Sequence, residues 1–290
     1  MATGSDPTGA TDVKLLFTKM QGAGNDFVVI DGVTQPVELS SARIRRIADR
    51  RRGIGCDQVL LVTPPDDPDA DFRYSIFNAD GSRAAQCGNG ARCMGRFLRE
   101  KHLTRKRDLT LLTDGEPLSL SVMEDGRVVA GLATPQFTPA DIPFLADGTA
   151  AQYSIDVQGQ RLSMGVVSMG NPHAILMVDD CDRAPVDTLG PLLEQHERFP
   201  DRVNVGFMQI LSPTEIKLRV FERGVGETEA CGSGACAAAV HGIALGLLQR
   251  EVSVQLPGGK LSISWLHDED RVWLGGPTRT VFDGSILLRD

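Results

Sequence analysis

The pentapeptide Cys87-Gly88-Asn89-Gly90-Ala91 returns in the second half of the 290-residue chain as Cys231-Gly232-Ser233-Gly234-Ala235. Each copy runs into a helix-like stretch, which predicts one thiol and glycine-rich backbone at a helix start in each half. The unpaired N–H groups and partial positive charge of a helix N-terminus lower the pKa of a thiol and hold carboxylates. Two such thiols facing each other would form an acid and base pair, so the repeat predicts an enzyme.

The landmarks around the two cysteines occur in the same order. Nine residues before them lie Asn78 and Glu222, each after an apolar stretch that ends in Phe. Further upstream, Gly24-Asn25-Asp26 and Gly170-Asn171-Pro172 occupy comparable places. Two halves that share landmarks in one order indicate a duplicated domain.

The pattern predicts a mixed α/β (α+β) fold of two pseudo-symmetric domains. Each half carries a helix candidate, at Ala42–Arg51 or Val186–Arg198, among short strand candidates. We expect each domain to be a curved mixed sheet around a central helix, with the active site in the cleft between the domains.

Prolines that follow Leu132 place the predicted domain boundary there. The N-terminal domain is predicted to span 13–132 and the C-terminal domain 133–276. The last segment, 277–290, is predicted to join the N-terminal domain, and residues 1–12 to be a disordered leader.

Composition and charge exclude several classes of function. A net charge of −8 argues against binding to nucleic acid or to an anionic membrane. The most apolar window, Ala235–Leu248, is too short to span a membrane. Six cysteines without a CxxC motif, in a chain without a secretory signal, indicate reduced thiols and a cytoplasmic protein.

The sequence predicts neither a cofactor nor a metal. Its GxG pairs lack the strand context and spacing of dinucleotide or phosphate loops. Lys19 and Lys217 have no phosphate site nearby that would indicate pyridoxal phosphate. The five histidines are scattered, without HxH or HExxH spacing.

Polar residues near the glycines are candidates for binding a small amino acid. Asn25, Asn78 and Asn171 are turn formers by residue type, but all three occur at landmarks of the repeat. Arg223 either forms an exposed ion pair or holds a substrate carboxylate. His173 is either a structural histidine or a partner that stabilises a thiolate.

These residues resemble the diaminopimelate epimerase family, cofactor-independent enzymes that interconvert LL- and meso-diaminopimelate on the route to lysine. The resemblance covers nearly the whole chain after the leader and rests on these motifs: 19–27, 77–81, Gln86 to Arg92, 168–173, 222–224 and 229–235. It implies a closing cleft between two domains and a homodimer. It also implies that Cys87 and Cys231 are the catalytic pair.

The resemblance further implies the residues around the catalytic pair. His173 and Glu222 are expected to tune the thiols. The expected substrate contacts are Asn25, Gln58, Asn78, Asn171, Asn204, Glu222 and Arg223, together with the backbone of Gly88, Asn89, Gly232 and Ser233.

The chemistry of epimerisation agrees with a pair of thiols. One thiolate removes the α-proton while the other cysteine, as a thiol, donates a proton to the opposite face of the carbon. Hydrogen bonds to the reacting carboxylate stabilise the carbanion. The distal head group of the substrate requires a cation and oxygen acceptors, which Arg223 and the Asn/Glu set provide.

Two alternatives stay open at this stage. The nearer is a two-cysteine racemase or epimerase that acts on proline-like substrates. The more distant is a non-enzymatic thiol protein with a redox or metal-binding role, which thiol titration and metal analysis would distinguish.

Overall fold

The computed structural model describes residues 13–84 and 87–288. The leader predicted at residues 1–12 lies outside the described residues, and so does Gln86 of the first cysteine motif. Residues 289 and 290, at the end of the predicted C-terminal segment, lie outside them as well.

The first half of the described chain forms eight strands and two helices. These are β1 (Val13–Gly22), β2 (Asn25–Asp31), α1 (Ser41–Ala48), β3 (Gln58–Thr63), β4 (Phe72–Asn78), β5 (Arg83–Ala84), α2 (Gly88–Glu100), β6 (Asp108–Leu112), β7 (Leu118–Val122) and β8 (Val128–Gly131).

A short 3₁₀ helix at Pro139–Asp141 precedes the second half. The elements that follow are β9 (Tyr153–Val157), β10 (Gln160–Ser168), β11 (Pro172–Met177), α3 (Val186–Glu194), β12 (Asn204–Ser212), β13 (Glu215–Glu222), β14 (Gly226–Thr228), α4 (Gly232–Ala244), β15 (Glu251–Leu256), β16 (Gly259–Ser264), β17 (Trp273–Gly275) and β18 (Arg279–Leu288).

The described residues divide into two compact units. The first unit contains residues 13–22, 26–118 and 278–288, and the second contains 23–25 and 119–277. Residues 119–131 therefore belong with the second unit, whereas the boundary predicted from the prolines put them in the first. The physical reason is that β8 pairs with β17 of the second unit, and β7 pairs with β8.

The two units repeat one pattern of strand pairing. In the first, β2 runs parallel to β3, β3 is antiparallel to β4, and β4 pairs with both β5 and β6. In the second, β11 runs parallel to β12, β12 is antiparallel to β13, and β13 pairs with both β14 and β15. Both β4–β6 and β13–β15 are parallel. This mixed α/β topology confirms the predicted fold class and the internal duplication.

The last strand returns to the first unit, where β18 runs antiparallel to β1. A register shift between Lys19 and Met20 interrupts this pairing. The inward side chains of the pair, such as Leu15 and Leu288, join a core that also holds Ile44 and Ile47 of α1.

The helices differ in how much of their surface is buried. Helix α1 buries only Ile44, Ile47 and Ala48 and turns Arg45 and Arg46 to solvent, so its basic face is solvated. Helix α4 buries nearly every residue from Gly232 to Ile243 and packs against strands β10, β11, β12, β13, β15 and β16. In the part of the chain that the structure describes, no helix has both the length and the apolar character needed to cross a membrane.

Candidate active site

Cys87 is the N-cap residue of α2. Its extended backbone (φ −151°) directs the side chain back over the first turn, and Sγ accepts a hydrogen bond from the Gly90 N–H at 3.3 Å. The side chain is partly exposed. The free N–H groups of the first helical turn place positive potential at this sulfur, which favours a thiolate.

Cys231 occupies the same position at the start of α4, again with an extended backbone (φ −115°). Here the cysteine is buried, and Sγ lies 3.7 Å from the Ser233 hydroxyl. Burial raises the pKa of the Cys231 thiol well above its usual value, and the nearby Glu222 carboxylate raises it further. The Gly234 N–H and the Ser233 hydroxyl oppose that rise. In this environment Cys231 is a thiol at neutral pH.

Glu222 is the last residue of β13 and lies against Cys231. Burial raises the pKa of the Glu222 carboxyl, while hydrogen bonds from Thr228 and from the Cys231 thiol lower it. Thr228 Oγ1 donates to Glu222 Oε1 at 2.5 Å. The structure thus brings Glu222 and Cys231 together, in an arrangement that favours the protonated sulfur.

His173 lies within β11, opposite Asn204 of the parallel strand β12. The imidazole is fully buried, and Nε2 is 3.0 Å from Asn171 Oδ1. Burial lowers the pKa of His173 to about 3, and the charge of Arg223 contributes to the same shift. A neutral imidazole supplies no positive charge to a neighbouring sulfur, and the thiol-tuning role expected for His173 stays a prediction. In the structure His173 is a hydrogen-bond partner of Asn171.

Asn204 fixes the start of the turn that carries Arg223. Its Nδ2 donates to the Pro172 carbonyl at 2.9 Å, and its Oδ1 accepts from the Arg223 N–H at 3.0 Å. The exposed Arg223 guanidinium donates through Nη1 to the Asp201 carbonyl at 2.9 Å. Within residues 13–84 and 87–288 no carboxylate forms an ion pair with Arg223, so its charge is available to a ligand.

Asn171 and Ser233 are also neighbours, with Asn171 Nδ2 3.5 Å from Ser233 Oγ. Asn171 precedes β11 and Ser233 lies in the first turn of α4 after Gly232. The second unit therefore brings the Cys231 thiol, the Glu222 carboxyl group and the Ser233 and Asn171 side chains together at the start of α4.

The first unit has a smaller polar group of the same layout. Gln58 begins β3 and lies directly opposite Asn78, the last residue of β4. Gln58 Nε2 donates to Asn78 Oδ1 at 2.9 Å, and Asn78 Nδ2 donates to Ser82 Oγ at 3.0 Å. In the duplicated topology these two residues stand at the strand ends where Asn204 and Glu222 stand in the second unit.

A charged network anchors the strand starts beside Asn25 and Gln58. Asp26 forms ion pairs with Lys19 (2.6 Å) and Arg50 (2.7 Å), and Arg50 also reaches Asp57 at 2.8 Å. Burial alone would raise the pKa of Asp26, but the hydrogen bonds from Arg50 and Lys19 outweigh it and hold that pKa well below its usual range. The network fixes the residues that follow Asn25 and precede Gln58.

Asn25 lies at a strand start and Asn89 in the first turn of a helix. Asn25 begins β2 after a turn in which Ala23 and Gly24 have positive φ, and it groups with the second unit although its strand lies in the first. The Asn89 side chain is buried, and its Oδ1 accepts from Arg92 Nη2 at 2.9 Å. For Asn89 and Gly88, the helix N–H groups are therefore the atoms that can meet a ligand.

Sequence reasoning did not single out Tyr74 or Thr228. The Tyr74 side chain lies on the same face of β4 as that of Asn78, since side chains alternate along a strand. This two-residue period was the signal that could have identified Tyr74. Thr228 was not detectable in the same way, because its contact with Glu222 depends on the short antiparallel pairing of β13 with β14.

The sequence of the chain is similar to that of known proteins. The sequence model described as "Diaminopimelate epimerase" matches residues 17–137 and 165–280. A diaminopimelate epimerase from Alkalilimnicola ehrlichii is 55% identical over 278 residues, covering 95% of this chain and 100% of that protein.

Solved structures with lower identity share the fold. A phenazine biosynthesis protein of the PhzF family from Bacillus anthracis has a TM-score of 0.68 at 17% identity, covering 95% of this chain and 100% of that one. A hydroxyproline epimerase from Agrobacterium vitis has a TM-score of 0.69 at 15% identity, covering 96% and 93%. At such identities the likeness concerns the fold alone.

Proposed function

The chain belongs to the diaminopimelate epimerase family, and we propose that it interconverts LL- and meso-diaminopimelate as a cofactor-independent isomerase of lysine biosynthesis. The observation that carries the proposal is the pair of cysteines that cap equivalent helices in two duplicated units. A reaction that removes a proton from one face of a carbon and adds one to the other needs two acid–base groups.

Cys87 and Cys231 act as the two acid–base groups of this reaction, one as the thiolate and the other as the thiol. The thiolate takes the α-proton, and the electron pair of the broken C–H bond is left on the carbon and the adjoining carboxylate. That pair then forms the new C–H bond with the proton of the other thiol. In the reverse direction the two cysteines exchange roles.

The helix N-termini stabilise the carbanion through the reacting carboxylate. N–H groups of Gly88 and Asn89, with those of Gly232 and Ser233, donate to oxygens that gain negative charge in the transition state. Exclusion of water from the bound substrate strengthens these hydrogen bonds.

The distal amino-acid group of the substrate determines specificity. Arg223 holds the distal carboxylate, since its guanidinium is exposed and forms no ion pair with a carboxylate among the described residues. The ammonium groups are bound by oxygens of the polar residues Asn25, Gln58, Asn78, Asn171, Asn204 and Glu222.

Proton NMR of the reduced protein with LL-diaminopimelate in heavy water tests the proposal. We expect the α-proton signal to disappear while meso product forms, without any added cofactor. L-Lysine, which lacks the distal carboxylate, should exchange slower by orders of magnitude, because it leaves the groups that bind that carboxylate, Arg223 among them, unpaired. Exchange of L-proline or trans-4-hydroxy-L-proline, with none of diaminopimelate, would instead favour a proline-type epimerase.

We further propose that the chain forms a homodimer and acts in the cytoplasm. Six free cysteines suit a reducing compartment. Leu16 and Leu287 are 55% and 60% exposed on the outward face of the β1–β18 pair, which is the type of apolar surface that a second copy would cover. Sedimentation of Leu16→Glu should show a monomer; an unchanged sedimentation coefficient would move the interface elsewhere.

A further inference from the structure

The Tyr74 hydroxyl is buried beside Cys87 without a hydrogen-bond partner. Tyr74 is 1% exposed, and its Oη has no partner within the described part of the chain. A Cβ atom placed on Gly90 would lie 2.6 Å from Tyr74 Oη and 3.2 Å from Cys87 Sγ. Because Gly90 has no side chain, the Tyr74 hydroxyl and the Cys87 sulfur can both lie close to the position that a Cβ atom would occupy. A buried hydroxyl without a hydrogen-bond partner costs folding free energy. Its presence indicates that the hydroxyl acquires a partner in another state of the molecule.

The second unit has no hydroxyl at the corresponding place. Tyr74 stands thirteen residues before Cys87, and the residue at that distance before Cys231 is Leu218, a fully buried aliphatic side chain. A Cβ atom on Gly234 would meet Val220 Cγ2 at 3.1 Å and Cys231 Sγ at 3.2 Å. Cys231 instead has the Glu222 carboxyl as its neighbour. One thiol thus lies near a neutral donor and the other near an acidic group.

We propose that Tyr74 is a positioning residue that turns its O–H toward the ionised sulfur of Cys87, so that Cys87 carries the thiolate of the resting pair and Cys231 the proton. This inference rests on the proposed function, since it assigns the starting roles of the two cysteines. The Tyr74 hydroxyl is itself buried, so its O–H dipole interacts more strongly with a nearby anion than it would in water. Tyr74 keeps its proton throughout, and the proton that Cys87 acquires comes from the substrate carbon.

The other ionisable groups near Cys87 do not replace this donor. Cys93, on the same helix, is a neutral thiol because burial raises its pKa to about 12. Arg92 is buried in the first turns of α2 and directs Nη1 and Nη2 to Gly88 and Asn89. Lys19, on the neighbouring strand β1, is paired with Asp26. These groups are common to the parent protein and to a Tyr74 variant, so a comparison of the two isolates the hydroxyl.

The test is the pH dependence of iodoacetamide alkylation of Cys87, followed by mass spectrometry of its peptide in a Cys231→Ala background. Tyr74→Phe removes only the hydroxyl. We expect the alkylation midpoint to rise by about half to one pH unit, with the rate at low pH falling about three- to tenfold, because only the thiolate reacts. Tyr153→Phe is the matched control, since Tyr153 is the other tyrosine of the chain and its hydroxyl bonds to Gly148 and Ala150; it should leave the midpoint unchanged.

Superimposable profiles for Tyr74→Phe and its parent would overturn the inference. If Tyr74→Phe does not fold, 3-fluorotyrosine in the Cys231→Ala protein provides the second measurement. The ¹⁹F resonance of Tyr74 should shift with the Cys87 titration while that of Tyr153 does not, and a Tyr74 resonance that ignores the titration would refute the coupling. Alkylation requires no substrate, so absence of diaminopimelate turnover would reject the proposed function while a shifted midpoint would still support the coupling.

Discussion

Cys87 and Cys231 each precede a helix of 13 residues and adopt the same extended backbone, but their surroundings differ. Cys87 is partly exposed and has an amide donor and a neutral hydroxyl nearby. Cys231 is buried against Glu222, and both burial and that carboxyl raise the pKa of its thiol. Duplication has kept the helix N-terminus in both units, while the residues that decide protonation have diverged.

At several positions equally distant from the two cysteines the two units carry different residues. Each pair has one member in each unit: Tyr74 and Leu218, Asn78 and Glu222, Phe97 and His241. A symmetrical pair of thiols would have no preferred resting state. Different neighbours allow one sulfur to begin as the base and the other as the acid, and substitutions at these positions test that difference.

The largest effect is expected when either sulfur is removed. Cys87→Ala and Cys231→Ala should each lower kcat for epimerisation by about a thousandfold or more, because a general acid or base contributes about 10²–10⁴-fold and neither step has a substitute. Coupled assays of product formation would measure the loss. Cys181→Ala is the control, since this buried thiol donates to the Phe207 carbonyl and lies outside both helix starts. Near-normal turnover in either of the first two variants would rule out a two-base reaction.

The two helix starts should also differ in their tolerance of a methyl group. In Gly90→Ala the new Cβ would meet the Tyr74 hydroxyl at 2.6 Å, on a ring that is fully buried and cannot move aside. We expect a loss of about 2 kcal/mol in the free energy of unfolding. In Gly234→Ala the nearest contact is 3.1 Å, and the better helix propensity of Ala offsets about 1 kcal/mol of strain. Urea unfolding measures both, and equal losses would show that Tyr74 does not distinguish the two sites.

Glu222→Gln makes the second site more like the first. Removal of the negative charge should lower the pKa of the Cys231 thiol, because the carboxylate raises it in the parent. In a Cys87→Ala background, the alkylation profile of Cys231 should move to lower pH by about one unit, which corresponds to about 1.4 kcal/mol. Glu227→Gln changes the net charge equally on the next strand, where Glu227 pairs with Arg219 at 2.6 Å, and should leave the profile in place. A shift toward higher pH would contradict the assigned role of Glu222.

The repeat of motifs was sufficient to predict the duplicated topology and most strands. The apolar run at Gln58–Thr63 forms strand β3, and Ser285–Leu288, in the segment predicted to join the N-terminal domain, is the end of β18. Strand β8 (Val128–Gly131) was not predicted, because its four residues carry too short a pattern and its pairing with β17 is distant in sequence. The domain boundary suggested by prolines differs for the same reason.

Side-chain environment could not be read from the motif alone. The sequence identified His173 as a candidate near the site, but its charge depends on complete burial, which only the packing of β11 between neighbouring strands establishes. Tyr74 stands on a strand whose apolar character predicted a core residue. Its hydroxyl is relevant because Gly90 brings it close to Cys87, and that contact joins residues sixteen positions apart.

The smallest effect is expected at the pair Phe97 and His241. These residues lie within helices α2 and α4, so they extend the comparison of the two units beyond the helix starts. The His241 ring fills the space that a side chain on Gly165 would occupy, and burial lowers its pKa to about 4. Below an unfolded-state pKa of about 6.5 the unfolded chain binds a proton that the folded chain does not, so stability decreases as the pH falls through this range.

His241→Phe copies the first unit and should remove about 1 kcal/mol of the stability loss between pH 6.5 and 5.5. Urea unfolding at these two pH values measures the change, and the remaining dependence should reflect His173, whose pKa burial lowers to about 3. An unaltered pH dependence would mean that His241 is protonated equally in the folded and unfolded chains, contrary to its burial on α4.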